Sequence, residues 1–408
     1  MTNDSYVEVG ALLDQLVASG KLPGASVLIT REGREAYYHQ TGFQDVTSRA
    51  PIARDTIFRI FSMTKPVTTA AVMILVDDGK IKLDDPLSKY VPELAHLGVY
   101  AGQDNGVLST VPAQPVKIRD LLTHTAGFSY WFQPGSPVAS LYETELGAGR
   151  FEAWRFDPKY GGLDGLAKSM SRVPLVSQPG ERWHYSMALE VAGLVVERAS
   201  GRTLDVFMKE RIFDPLGMRD TAFSVAPGSA KRLASLYGPG AEGNLELIET
   251  GSESLVLKTV PGLSGGGGLT STIEDYARFA NMLANGGELD GKRVLSAKAV
   301  AQMTTNQLEA KQLAELPYLA QFGLGGTGAG LGFGLGGAVV VDPAKSAVPT
   351  VRGEYSWGGA ASTTFWVDRQ NQVSVVFMTQ FMPPSSEMLW DRLHAAVYVG
   401  SLLSAGEK

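Results

Sequence analysis

The stretch Ser62-Met63-Thr64-Lys65 decides how the rest of the chain is read. Residues three apart lie on one face of a helix, so Ser-x-x-Lys at a helix start brings a hydroxyl and an amine into one small volume. That pairing is a nucleophile beside a potential base. Ile57, Phe58, Ile60 and Phe61 precede it as a strand-like apolar run. Val67, Ala70, Ala71, Ile74 and Leu75 follow at helical spacing and predict one apolar stripe. Pro66 falls in the first turn, where proline is tolerated. Asp77-Asp78-Gly79 supplies the stop, with glycine where a left-handed residue is common. No other lysine in the chain has a serine three residues before it.

Bulk properties narrow the setting. A chain of 408 residues can bury a large core, as one bilobal unit or two domains. Its 44% hydrophobic and 19% charged residues describe an ordinary globular protein. A net charge of −6 without any basic run argues against a nucleic-acid partner. The lack of cysteine excludes disulfides, thiolate metal sites and cysteine nucleophiles. Met1 to Ser5 show neither a basic n-region nor an apolar segment, and no apolar run approaches the roughly 20 residues that span a membrane. A cytoplasmic location without a membrane partner is the expectation; oligomeric state is not readable.

The pattern along the chain predicts an α+β fold. A helix over 7–18 leads to strands Ala25–Thr30 and Glu35–His39, joined by a turn at Gly33. From about 83 to 254 helical patches such as Ile118–Leu122 and Ala188–Ala199 alternate with Gly and Pro. Beyond 270 come a helix with a capping box at Ser271 and Glu274, then glycine-rich strands. The hairpin Thr363–Val367/Val373–Thr379 and a last helix near 387–402 follow. An antiparallel α/β lobe built from both termini (about 1–82 and 255–408) and a mostly helical lobe (about 83–254) are expected in a single domain, with a site at their interface.

Several motifs compete with Ser62. Gly262-Leu263-Ser264-Gly265-Gly266 matches the nucleophile elbow, and Asp342, Asp368 and His394 offer triad partners. Pro261 before it and the glycines after it favour a loop instead. Gly-x-Gly-x-x-Gly occurs as Gly323/Gly325/Gly328 and Gly332/Gly334/Gly337, but Ala338 to Asp342 then read as strand where a dinucleotide fingerprint needs a helix. Gly286–Lys292 fails as a P-loop because Arg293 stands where Ser or Thr must bind magnesium. The five histidines lack metal-ligand spacing, so neither a metal nor another cofactor is expected, and His124 reads as capping or packing at a helix end.

Two further segments can complete a site around Ser62. Lysine is protonated at neutral pH unless its surroundings shift it, and a tyrosine beside it is another route to a base. Tyr185, in Gln178-Pro179-Gly180-Glu181-Arg182-Trp183-His184-Tyr185-Ser186, lies at a loop-to-helix junction, where packing is the competing explanation. Glu354-Tyr355-Ser356-Trp357-Gly358-Gly359-Ala360 precedes a strand and has two glycines that permit close approach to the main chain, as a simple bulge also would.

Taken together, Ser62-x-x-Lys65, Tyr185-Ser186-Met187 and Trp357-Gly358-Gly359 resemble the serine β-lactamase and penicillin-binding-protein superfamily, in its class C-like branch and most closely the family VIII carboxylesterases. Leu83-Asp84-Asp85-Pro86-Leu87 and Leu121-Leu122-Thr123-His124-Thr125-Ala126-Gly127 are similar to that family too, so the resemblance runs from about 10 to 400. It implies a β-lactamase-like fold, Ser62 as acylated nucleophile, Lys65 and Tyr185 sharing its deprotonation, and an oxyanion hole from the N–H groups of Ser62 and Ala360. Class C β-lactamases have Tyr-x-Asn and Lys-Thr-Gly where this chain has Tyr185-Ser186-Met187 and Trp357-Gly358-Gly359. Met187, Trp357, Gly358 and Gly359 are thus expected at the substrate, with the apolar side chains suiting a small uncharged ester. The alternatives are a β-lactamase, a D-alanyl-D-alanine peptidase, an acyltransferase or amide hydrolase of the same fold, and a non-catalytic scaffold.

Overall fold

Alternating apolar residues at both chain ends build one antiparallel sheet. The computed structural model describes residues 6–105, 107–147, 149, 153–316, 328–384 and 389–405. From the N-terminal part come β1 (Gly24–Arg31), β2 (Arg34–Asp45) and β3 (Ala50–Pro51). The C-terminal part gives β4 (Leu331–Phe333), β5 (Ala338–Val340), β6 (Tyr355–Gly358), β7 (Thr364–Asp368) and β8 (Val373–Thr379). Their order is β4-β5-β6-β7-β8-β1-β2-β3. The two ends of the chain meet where β1 pairs with β8, from Ala25 opposite Thr379 to Arg31 opposite Val373.

Helices cover both faces: α1 (Val7–Ala18), α2 (Thr64–Asp77), α3 (Ile118–Leu122), α4 (Ala188–Ser200), α5 (Ile273–Ala284) and α6 (Leu389–Ala405) are those that support the site. Strand side chains alternate between faces. Val27, Ile29, Val375 and Phe377 pack with Val9, Leu13 and Leu16 of α1 and Leu393 and Val397 of α6. Leu28, Val376 and Met378 join the larger core that holds α2, α4 and α5. The segment between α2 and α5 holds more helix than strand, with two-stranded ribbons Gly98–Asp104/Val107–Pro112 and Leu236–Pro239/Leu245–Glu249. The expected α+β architecture is therefore present. No described helix is long and apolar enough to cross a membrane.

Three local expectations change. The helix after Ser62 is buried all round from Thr64 to Leu75, not along one stripe, and Ser62 itself sits in a 3-10 turn, Phe61–Met63, that feeds it. Two of its buried hydroxyls have partners inside the protein: the Thr68 hydroxyl donates to the Gly265 carbonyl at 2.6 Å, and the Leu269 N–H donates to Thr64 Oγ1 at 3.1 Å. The cap of α5 is Thr272, whose hydroxyl accepts from the Asp275 N–H at 3.2 Å, because Ser271 is engaged with Phe58 across a short strand pair and with Thr221. Residues 355–358 are themselves strand β6, so Gly359 and Ala360 occupy the turn of a hairpin. Gly332, Gly334 and Gly337 lie in and between β4 and β5, whereas Gly323 and Gly325 fall outside the described residues. Gly286–Lys292 runs through a turn into the ribbon Glu288–Leu289/Lys292–Arg293.

The last helix is fastened to the strand that carries the Trp-Gly-Gly motif. His394 is stacked between Trp366 and Trp390, with centroids at 3.8 and 3.6 Å. Its Nε2 is 2.9 Å from Oε1 of Glu354, the residue before β6, and both side chains are fully buried. Removing one partner of a buried pair leaves the other unsatisfied. His394→Ala is expected to cost about 3–5 kcal/mol, measured by urea unfolding; a loss below about 1 kcal/mol contradicts this account of the anchor.

Candidate active site

Lys65 is a lysine with no exposed surface, and its surroundings define the site. Its Nζ donates to the Gly266 carbonyl at 2.7 Å and to Ser62 Oγ at 3.2 Å. The ammonium stands 4.6 Å from the Tyr185 ring centroid and 5.4 Å from that of Tyr130. The Tyr185 hydroxyl donates to Ser62 Oγ at 2.7 Å. Ser62, Lys65 and Tyr185, separated by up to 123 positions in sequence, thus meet at one oxygen, and Ser62 is partly exposed. Among the described residues no group of three or more His, Asp or Glu side chains is arranged to hold a metal.

Tyr185 owes its place to the segment after α3. The His184 N–H donates to the His124 carbonyl at 2.8 Å and the Met187 N–H to the Ser129 carbonyl at 3.3 Å. His124 Nδ1 lies 3.1 Å from Ser186 Oγ, and its ring meets that of Tyr185 edge-on at 5.0 Å. Burial, and then the Lys65 charge, hold the His124 imidazole well below its ordinary range, so it is neutral at physiological pH. His124 does pack, as its sequence suggests, but against the tyrosine of the site.

The turn after β6 comes up against the Ser62 segment from the other side. Gly359 approaches Ile60 so closely that a Cβ would stand 2.4 Å from the Ile60 carbonyl oxygen, and its N–H donates to the Thr363 carbonyl at 2.8 Å. Gly358 and Ala360 beside it are partly exposed. Ser62 and Ala360 are thus carried on facing segments. Two expected substrate contacts are corrected. Met187 has no exposed surface because it caps α4 within the core, and Trp357 is 1% exposed. The Trp357 ring packs on Tyr185 at 5.5 Å and on Phe333 at 5.4 Å, so it supports the tyrosine and offers no face to the opening.

The nucleophile elbow is not formed. Ser264 is fully buried and donates to Glu190 Oε1 at 3.3 Å, while His394 is committed to Glu354 and to the Trp390 carbonyl. The loop that holds Ser264 has a different part in the site. A Cβ on Gly265 would fall 2.5 Å from the Leu189 carbonyl, and one on Gly266 would fall 2.2 Å from Glu190 Oε1. Four consecutive glycines let this loop run between α2 and α4 and present its carbonyl to Lys65. Gly266, Glu190 and Tyr130 escape the sequence reading; the glycine run was the one signal, and it also fits a plain loop.

The Beta-lactamase family matches residues 9–398. The chain belongs to this family. Protein Rv1367c of Mycobacterium tuberculosis is 35% identical to it over 92% of this chain and 90% of its own length. Esterase EstB of Burkholderia gladioli is 30% identical over 90% of this chain and 88% of its own. Among solved structures, EstCE1, described as a hydrolase with promiscuous acyltransferase activity, superposes with a TM-score of 0.79 at 27% identity, covering 97% of this chain and 99% of that one. The fold is β-lactamase-like, and the family and these relatives make the protein a serine hydrolase of that fold.

The buried histidines give this family member an acid-labile fold. His184 is pushed down to about 4 by burial and then by Arg182, and His124 also lies well below its ordinary value. The unfolded chain binds protons near pH 6.5 that the folded one does not, so stability is full above pH 6.5 and falls as pH drops below it. The expected slope is about 1.4 kcal/mol per pH unit for each histidine. Urea midpoints at pH 7.5 and 5.0 should show a smaller drop in His184→Gln than in wild type; equal drops exclude His184 as a contributor.

Proposed function

We propose that the protein is a carboxylesterase that hydrolyses short-chain acyl esters through an acyl-enzyme on Ser62. The observation that carries this reading is the convergence of the Tyr185 hydroxyl and the Lys65 ammonium on Ser62 Oγ, at 2.7 and 3.2 Å. With the Tyr185–Lys65 pair one proton short of phenol plus ammonium, attack forms a bond from Ser62 Oγ to the acyl carbon as the serine proton passes to the pair. The pair returns that proton to the departing alkoxide when the ester C–O bond breaks. Water then repeats the sequence on the acyl-enzyme and regenerates Ser62. The N–H groups of Ser62 and Ala360 are assigned to the carbonyl oxygen, whose charge develops in the transition state. Gly358 and Gly359 supply the main-chain surface beside it.

An ester is favoured over a β-lactam by what surrounds these groups. Trp357 stands where a class C enzyme has a cation for the β-lactam carboxylate, and Met187 where it has an amide; both are buried in this chain. EstB, named as an esterase, and EstCE1, described as a hydrolase, support the same choice. Turnover of p-nitrophenyl acetate and butyrate, with a chromogenic cephalosporin alongside, tests it. Ser62→Ala is expected to lose about a thousandfold or more in kcat and Tyr185→Phe at least a hundredfold. Ser264→Ala should keep Ser62-dependent turnover. An active Ser62→Ala with an inactive Ser264→Ala overturns the assignment of the nucleophile, and faster cephalosporin than ester turnover overturns the substrate class.

A further inference from the structure

Glu190, in the first turn of α4, is 2% exposed and has no part in the chemistry above. Its Oε1 accepts from the Tyr130 hydroxyl and from the Ser264 hydroxyl, each at 3.3 Å. The carboxylate also lies against Gly266, where a Cβ would stand 2.2, 2.4 and 2.4 Å from Oε1, Cδ and Oε2. These neighbours are the groups that enclose Lys65. Gly266 gives the carbonyl that accepts from Nζ, Tyr130 gives a ring face 5.4 Å from it, and Ser264 begins the glycine run that delivers the carbonyl. A buried carboxylate and a buried ammonium are each costly when isolated.

We infer that Glu190 is a positioning residue for this site: it sets the Gly266 carbonyl and the Tyr130 ring around Lys65 and supplies the negative charge that balances the ammonium. The inference rests on the reading of Lys65 and Tyr185 as the proton-transfer pair. With Glu190 ionised, loss of a proton from that pair leaves the site more negative, and removing the carboxylate charge makes that loss easier. Titratable groups against it or its partners include Lys65 on α2, Tyr185 before α4, and Tyr130 and Tyr142 after α3, and the buried Arg155 lies on the segment packed against Gly262. The Glu190 charge adds to burial in raising the Tyr142 phenol.

The test is an NMR titration of the full chain labelled with [13C]lysine, with Lys65 assigned through Lys65→Arg, together with the pH profile of kcat/KM on p-nitrophenyl butyrate. In Glu190→Gln, the Lys65 resonance and the acid limb of the profile should both move to lower pH by about one unit. The same variant should lose about tenfold in kcat, with KM within about twofold. In the double variant Tyr130→Phe/Ser264→Ala, which strips the carboxylate of its donors and leaves its charge, the Lys65 resonance should move to higher pH. That second variant decides the matter if Glu190→Gln does not fold. A Lys65 resonance that titrates alike in wild type, Glu190→Gln and the double variant overturns the inference. Because the titration needs no turnover, inert wild type on every ester defeats the esterase reading alone, while the Lys65 resonance still decides the role of Glu190.

Discussion

A lysine ammonium without exposed surface must be hydrogen-bonded within the protein, and meeting that need for Lys65 organises the molecule around it. Its principal acceptor, the Gly266 carbonyl, is 201 positions away in sequence. For that carbonyl to arrive, a loop must pass between two buried helices, α2 and α4, with almost no side-chain volume. Gly265 and Gly266 meet the steric demand, and Thr68 secures the neighbouring carbonyl. The helix that carries Lys65 is itself covered on every side, so Nζ cannot reach solvent and its geometry is fixed. Ser62 and Lys65, the nucleophile and part of the base in the proposed reaction, are thereby held in place before any substrate arrives.

Three of the eight described non-glycine residues with left-handed φ lie on the segments around Ser62, Tyr185 and Ala360. Phe61, His124 and Ser362 all have φ in the left-handed region, at +42°, +56° and +64°, although none is glycine. They immediately precede Ser62, pack on Tyr185, and close the turn that contains Ala360, respectively. Such conformations cost about 1–3 kcal/mol each and persist where surrounding structure over-determines them. Here that structure is identifiable. The β6–β7 ladder fixes the Ser362 turn, the Gly359–Ile60 approach fixes the residue before Phe61, and hydrogen bonds from the 176–187 segment fix that of His124.

What the sequence revealed was what single elements encode. Helical spacing after Ser62, the stop at Gly79, the two terminal hairpins and the Tyr185 junction were all readable, because period and turn chemistry are local properties. The misreadings share another origin. Ser271 looked like a cap until its pairing with Phe58 and Thr221 took it away and left Thr272. Met187 and Trp357 were placed next to the right residues, but their burial depends on how α4 and β6 pack, which no spacing reports. Gly266 and Glu190 were hardest to see. A main-chain carbonyl has no residue type to mark it, and a glutamate at a helix start looks like an ordinary favourable dipole partner.

The charge pattern around Ser62 follows from these packing choices. His124 could have been a second cation within reach of Tyr185, yet its burial beside Trp183, Phe333 and the Lys65 charge leaves it neutral. The neighbourhood then includes the Lys65 side chain and the buried Glu190 side chain, with Ser62 Oγ hydrogen-bonded to both Tyr185 and Lys65. In so dry a place, a proton moves readily only if the move does not create an isolated charge. Once the Tyr185–Lys65 pair has given up one proton, Ser62 passes its own proton to the Tyr185 oxygen and the negative charge moves to Ser62 Oγ, 3.2 Å from Lys65 Nζ, so the charge is compensated where it forms. The fold accordingly serves the proposed proton transfer less by shaping an opening than by fixing, through a glycine loop and a neutral histidine, which charges stand next to one serine oxygen.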